Sequence, residues 1–314
     1  MFDNKPRFTH FGQFGILIGL FGAGLILAVI IQLFFALSIV PLTDMMSGND
    51  SKLLAAMAKP ENINKVRWMQ MLGTFAMMFL PAYFFALIIS GNAFNYLGFK
   101  KNITLNQFLL VVAIAITALF FSGGLGELNR IIPIPKNWEM KFKAMEEMYS
   151  EQVMMISRMN SFLDYIISLV MIAILPAIFE ELFFRGTLQQ LLISWFKKPH
   201  VAIFVTSFLF SIIHFSYYGF LPRLALGLIL GYIFYFSKNI WLSMLMHFIN
   251  NAVAISVLYF SNSKAEATKK MMDDNFPIWV AAVTFIILFY LFKLFKKNCD
   301  PQQDEIINND FSIE

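Results

Sequence analysis

Six residues in the second half of the chain have types and spacings that could do hydrolytic chemistry: Glu180, Glu181, Arg185, His214, His247 and Asn251. They sit in apolar runs that read LPAIFEELFFRGTLQQLL, TSFLFSIIHFS and WLSMLMHFINNA. An ionisable residue within a membrane span costs about 2.5–3.5 kcal/mol on insertion scales, so a cluster of them calls for a function. Glu181 and Arg185 are four residues apart with the acid first, the favourable order for a helical pair. Arginine stays charged and can hold a carboxylate through two parallel hydrogen bonds. Glu180 points about 100° away from Glu181 on the same helix and is left without that partner. An unpaired carboxylate in apolar surroundings gains proton affinity, which suits a general base working near neutral pH.

Of the four histidines, His214 and His247 are expected in mid-helix among apolar residues, with Phe210 four residues before His214. His200 follows Lys197, Lys198 and Pro199 and is expected in a loop, and His10 at the interface before the first span. His247 and Asn251 are four apart and share a helix face. Asn251 offers donors that do not titrate, suited to an oxyanion; Asn250 is the adjacent alternative. Glu180 would take a proton from water with His214 helping to hold it, while His247 and Asn251 would receive the developing negative charge. The competing arrangement is a zinc ion on Glu180, His214 and His247, a two-His, one-Glu set with room for water. No HExxH helix is present. A metal-free mechanism is favoured because both histidines have a role without the ion, with zinc as the alternative cofactor.

Holding such a cluster requires apolar helices, and the chain supplies them. A span needs about 20 mainly apolar residues. Runs of this kind cover Gln13–Val40, Met69–Ser90, Asn106–Ser122, Ser161–Phe179, Val201–Tyr217, Leu224–Phe236, Ile240–Phe260 and Ile278–Phe292, which gives eight spans to within about one. The sixth is short and needs Arg223 and Lys238 to snorkel at its ends. Between spans, Arg130–Asn160 opens on a Pro-Ile-Pro turn and continues as a charged, Met-rich segment with helical spacing, expected to be an interfacial amphipathic helix. The chain divides into 1–160, N-terminal spans and long connections; 161–260, the core bearing the cluster; 261–298, the last span; and 299–314, a polar tail expected to be disordered.

Composition agrees. Of the 314 residues, 58% are hydrophobic and 14% charged, against about 25% charged in soluble domains. The fold class is therefore all-α, a polytopic membrane bundle. The net charge of +4 is spread over inter-span connections, as membrane anchors are; it forms no continuous basic face, so nucleic acid is excluded as a partner. A single cysteine, Cys299, rules out an intrachain disulfide or a thiolate cluster. Lys5 and Arg7 before the first span, and Lys293, Lys296 and Lys297 at the last, favour cytoplasmic termini in an even-span protein of a bacterial cell membrane. No internal repeat of the kind many transporters carry is visible.

Three segments, EELFFR (Glu180–Arg185), FSIIH (Phe210–His214) and HFINN (His247–Asn251), resemble the EExxxR, FxxxH and HxxxN motifs of the CAAX-protease and bacteriocin-processing family, the type II CAAX prenyl endopeptidase-like proteins. Pro176, Gly186 and an Arg223…Gly227…Gly231 segment agree with it, and Gly227 with Gly231 form a small-xxx-small pair that permits close helix packing. The resemblance covers roughly Ser161–Ala254. It implies an eight-span intramembrane endopeptidase with a cavity open to the membrane and the cytosolic side. Its partners would be the bilayer and a peptide or protein substrate with a membrane-associated segment: prenylated CAAX termini in eukaryotes and archaea, and bacteriocin maturation, self-immunity or peptide signalling in bacteria. By motif match, Glu180 and His214 would activate water, His247 and Asn251 would form the oxyanion site, and Glu181 and Arg185 would support the first motif. The alternatives are a non-catalytic scaffold or immunity protein that keeps the fold, and a transporter or proton relay.

Overall fold

The computed structural model describes residues 8–43, 50–156, 159–260 and 276–299. Among them no strand occurs. In lipid each backbone polar group needs an internal partner, and a helix supplies one within its own segment. Apart from a single short turn at Ala93–Tyr96, the helices of the described residues are α1 (His10–Leu37), α2 (Asp50–Met57), α3 (Pro60–Ser90), α4 (Leu105–Ile131), α5 (Lys136–Ile156), α6 (Phe162–Phe196), α7 (Pro199–Ile212), α8 (Phe220–Ser237), α9 (Ile240–Phe260) and α10 (Ile278–Cys299). Seven of them, α1, α3, α4, α6, α8, α9 and α10, are long and apolar enough to cross a membrane. The expected fifth span is the exception: α7 has 14 residues, about 21 Å at 1.5 Å per residue, short of a 30 Å hydrocarbon core. The protein is a multi-pass integral membrane protein. The polar tail after Cys299 lies outside the described residues.

Local chemistry sets the helix ends. The Thr9 hydroxyl accepts from the Gly12 amide at the start of α1. Thr104 with Gln107, and Ser161 with Asp164, form reciprocal capping boxes on α4 and α6, each satisfying two otherwise unpaired donors. Asp164 thus caps the start of α6. Left-handed residues end three helices, Gly91 after α3, Lys197 after α6 and Lys238 after α8.

Two spans are not uniform. α3 widens to π-helical pitch over Phe75–Phe79 and α6 over Leu169–Ile174, each just before a proline, Pro81 and Pro176. Proline has no N–H to offer the carbonyl a turn earlier, and a widened turn reroutes the neighbouring bonds. A second π turn in α6, Phe184–Gln189, lies just past the glutamates, and the Thr187 hydroxyl donates to the Leu182 carbonyl there at 2.9 Å. Ser161–Phe179 is therefore only the first half of one long helix that carries the glutamates inward to Phe196.

Two apolar cores result. Phe85, Leu182, Phe183, Phe184, Leu191 and Phe210 join α3, α6 and α7. Ile114, Leu230, Met246 and Phe295 join α4, α8, α9 and α10. Large apolar side chains such as Phe34, Phe289 and Ile286 stay exposed on α1 and α10, as expected where the surroundings are lipid. The polar cluster lies where α6, α8 and α9 meet between these cores.

Candidate active site

α7 and α8 approach closely because two glycines allow it. A Cβ on Gly227 would stand 2.9 Å from the Ser207 Cβ of α7, and one on Gly231 would stand 2.8 Å from Ile203 Cγ2. The carbonyls of both glycines turn toward α6. Arg185 donates from Nη2 to the Gly227 oxygen at 3.2 Å, and Gln189, one turn on, donates from Nε2 to the Gly231 oxygen at 3.0 Å. The small-xxx-small pair thus also supplies two acceptors for the motif helix.

Glu181 and Arg185 are fully buried and paired at 2.8 Å through Oε1 and Nη1. The guanidinium carbon lies 4.7 Å from the Phe210 ring centre, a cation–π contact strengthened by the dry setting. Glu181 also bonds to α9, accepting from His247 Nδ1 at 2.8 Å and from the Ser243 hydroxyl through Oε2. A carboxylate only accepts here, so the His247 proton sits on Nδ1. Ser243 is the site residue that sequence reasoning missed. It lies four residues before His247, as Asn251 lies four after, so the same helical spacing points to it.

Glu180 takes no part in that pairing. Its Oε2 is 3.9 Å from His247 Nε2, and its side chain keeps 16% of its exposure. On the other side Glu180 walls a cavity of about 110 Å³ with Arg67, Gln70, Thr74, Leu175, Pro176 and Phe179, enough for several waters. Asn251 is half-buried one turn beyond His247, with its Oδ1 3.5 Å from Asn250 Nδ2.

His214 corrects the expectation of a mid-helix residue. α7 ends at Ile212, and His214 lies in the turn just past that end. Its Nδ1 donates to the Phe210 carbonyl at 2.7 Å, closing one of the four carbonyls that a helix end leaves open. Phe215 then turns the chain out of the helix with φ 50°. The Phe210 ring meets both imidazoles, His214 at 5.0 Å and His247 at 6.0 Å between centres. Glu180, Arg223 and His247 are the charged groups that act on His214 through space.

The turn is anchored from two sides. Asn129 of α4 donates to the Tyr217 carbonyl at 2.9 Å and accepts from the Leu221 amide at 3.1 Å. From α5, Glu146 accepts from the Ser216 hydroxyl at 2.8 Å, Phe142 stacks on Tyr217 at 4.7 Å, and Tyr149 lies 5.1 Å under the Arg223 guanidinium. Arg223 therefore packs against α5, while Lys238 at the other end of α8 rests over the Tyr235 ring at 4.2 Å. His200 is not in a loop: it lies in the first turn of α7, with Nδ1 3.0 Å from the Tyr232 hydroxyl. His10 opens α1 and reaches Ser194 at 3.5 Å.

The zinc arrangement can be tested against these positions. With both Nδ1 atoms protonated and bonded, both Nε2 atoms carry the lone pair that a metal requires. Among the described residues, however, no three His, Cys, Asp or Glu side chains are grouped so that they could hold a metal ion. The donors of Glu180, His214 and His247 do not fit a common zinc in this arrangement.

Comparison with curated proteins and with solved structures gives no match. Residues 162–253, the stretch that runs from the start of α6 through all three motifs, match the family model of type II CAAX prenyl endopeptidases, Rce1-like, so the family that the motifs resemble is the family whose model this segment fits.

Proposed function

We propose that the protein is an intramembrane endopeptidase in which Glu180 activates water for attack on a peptide bond near the membrane surface. The observation that carries this reading is the division of labour between adjacent glutamates. Glu181 is tied down by Arg185, His247 and Ser243, whereas Glu180 faces a water-sized cavity. Glu180 takes one proton from water as the hydroxyl oxygen adds to the carbonyl carbon. It returns that proton to the amide nitrogen as the C–N bond breaks, leaving a carboxyl and an amine. His214, through its free Nε2, helps to orient the water.

His247 and Asn251 receive the oxyanion. Since Nδ1 of His247 already donates to Glu181, donation from Nε2 requires the doubly protonated ring. In this reading the substrate is a peptide with a membrane-associated segment (CAAX-type, bacteriocin or signalling peptide), and the reaction is written without a metal.

Purified protein reconstituted in lipid is expected to cleave such a peptide, and Glu180→Ala and His214→Ala are each expected to abolish cleavage while remaining inserted and folded. Proteolysis that survives Glu180→Ala overturns the assignment. A cellular phenotype fully rescued by Glu180→Ala favours the non-catalytic scaffold.

A further inference from the structure

α8 starts without a cap of its own. Its N-cap is Gly219, which has no side chain to accept a hydrogen bond. A Cβ there would crowd the Arg223 guanidinium and stand 2.9 Å from Ser216 Oγ, so a capping side chain has no room. An N-cap residue ordinarily accepts from the amide two or three positions on. The third position here is Pro222, which has no N–H, and the first, Phe220, already donates to the Tyr217 carbonyl at 3.1 Å. The Leu221 amide is left, and Asn129 takes it from another helix. Asn129 lies in the last turn of α4, 2% exposed and outside the segment that the family model matches. Its Oδ1 accepts from Leu221 at 3.1 Å while its Nδ2 donates to the Tyr217 carbonyl at 2.9 Å.

Burying a carboxamide among apolar helices is costly unless its acceptor and its donor are bonded. Here both go to the backbone of the turn that carries His214, three residues before Tyr217. His214 itself is tied back to α7 through the Phe210 carbonyl. The turn is thus fixed at its α7 end and, by Asn129, at its α8 end. The two outside anchors differ in how firmly they are seated. Glu146 reaches Ser216 from α5, none of whose described side chains is buried. α4 is packed into the core through Val111, Ile114, Ala115 and Ala118. Buried, well-packed elements open last, so Asn129 is the anchor that holds when α5 moves.

We propose that Asn129 is a positioning residue for the reaction: by capping α8 and holding the Tyr217 carbonyl it sets where His214 Nε2 stands relative to Glu180. This rests on the reading of Glu180 and His214 as the pair that activates water. The first test needs no turnover. The chain has four histidines, so ring-¹⁵N-histidine labelling of the full chain in lipid nanodiscs gives four sets of ring resonances, assigned with His10→Gln, His200→Gln and His214→Gln. In Asn129→Ala the His214 resonances should shift while those of His247, held by Glu181, stay in place. The second test is cleavage of an internally quenched fluorogenic peptide carrying a lipid anchor. A misplacement of about 1 Å costs up to about a hundredfold, so kcat per folded molecule should fall by about tenfold to a hundredfold with KM unchanged. A residue that only staples α4 to α8 would lower stability and leave kcat alone. Asn129→Asp is the rescue variant. Its protonated carboxyl again offers one donor and one acceptor, so its kcat relative to wild type should rise toward one as pH falls, whereas the ratio for Asn129→Ala stays flat. Unmoved His214 resonances or a wild-type kcat in folded Asn129→Ala overturn the proposal, as does a pH-independent ratio for Asn129→Asp. Where Asn129→Ala does not fold, Asn129→Asp decides; failure of both to fold makes Asn129 a folding residue alone and also overturns it. If cleavage survives Glu180→Ala, the functional reading falls, and the histidine resonances still report separately on Asn129.

Discussion

Arg185→Leu is the most informative perturbation of the buried cluster. The leucine removes the 2.8 Å bond to Glu181, the 3.2 Å bond to the Gly227 carbonyl and the cation–π contact to Phe210 at 4.7 Å. Two charge-assisted bonds at about 1.5–3 kcal/mol each and a desolvated cation–π contact near 2 kcal/mol are offset in part by the apolar side chain. Breaking a buried ion pair from one side costs about 3–5 kcal/mol on independent grounds. We therefore expect a loss of about 3–5 kcal/mol in unfolding free energy, measured by SDS titration in mixed micelles. Cleavage assayed on the same sample should be lost, because Glu181 then no longer fixes His247. Arg185→Lys keeps the charge but loses the fork and the ring stacking, and should fall between the two proteins in both assays. A loss below about 1 kcal/mol for Arg185→Leu, the scale of an exposed pair, would refute the reasoning.

Ser243→Ala removes one of three ligands of Glu181; about 1.5–3 kcal/mol of stability should go with it, and cleavage should drop without disappearing, read by the same titration and by kcat/KM. Gly227→Ala forces a methyl to within 2.9 Å of Ser207 and displaces the carbonyl that Arg185 uses. Overpacking of this kind costs about 1–3 kcal/mol, and a melting temperature equal to wild type would contradict the close approach of α8 to α7. Phe142→Ala or Glu146→Ala loosens the turn bearing His214 from the α5 side, and kcat/KM is expected to fall by about tenfold with a small effect on Tm, since the two contacts lie at the margin of the core. Elemental analysis of active protein should find no stoichiometric zinc and chelators should leave cleavage intact; zinc at one equivalent with chelator-sensitive turnover would replace the metal-free reading.

Much was legible in the sequence because backbone geometry alone fixes it. Apolar runs without charges require helices in lipid, and seven long ones formed where runs were read. Within one helix the spacing of four places Glu181 beside Arg185 and sets Ser243, His247 and Asn251 along one face, whatever surrounds them. The sequence by itself also separated Glu180 from its neighbour, since adjacent helical residues diverge by about 100°.

The meeting of one helix with another was decided only by the tertiary structure. The 66-residue bridge from Glu181 to His247 depends on how near α6 comes to α8 and α9. That approach depends in turn on the Gly227 and Gly231 carbonyls that Arg185 and Gln189 reach, and on three π turns that rotate the downstream half of each helix. Periodicity assumes a constant pitch and cannot register such a rotation. His214 left the helix because Phe215 adopts a left-handed turn that an apolar run does not announce. The amphipathic α5 found its role in holding that turn, and Arg67 came to share a cavity with Glu180, through packing between segments distant in sequence. Local spacing determines which side chains share a face; only the packed bundle determines which faces meet.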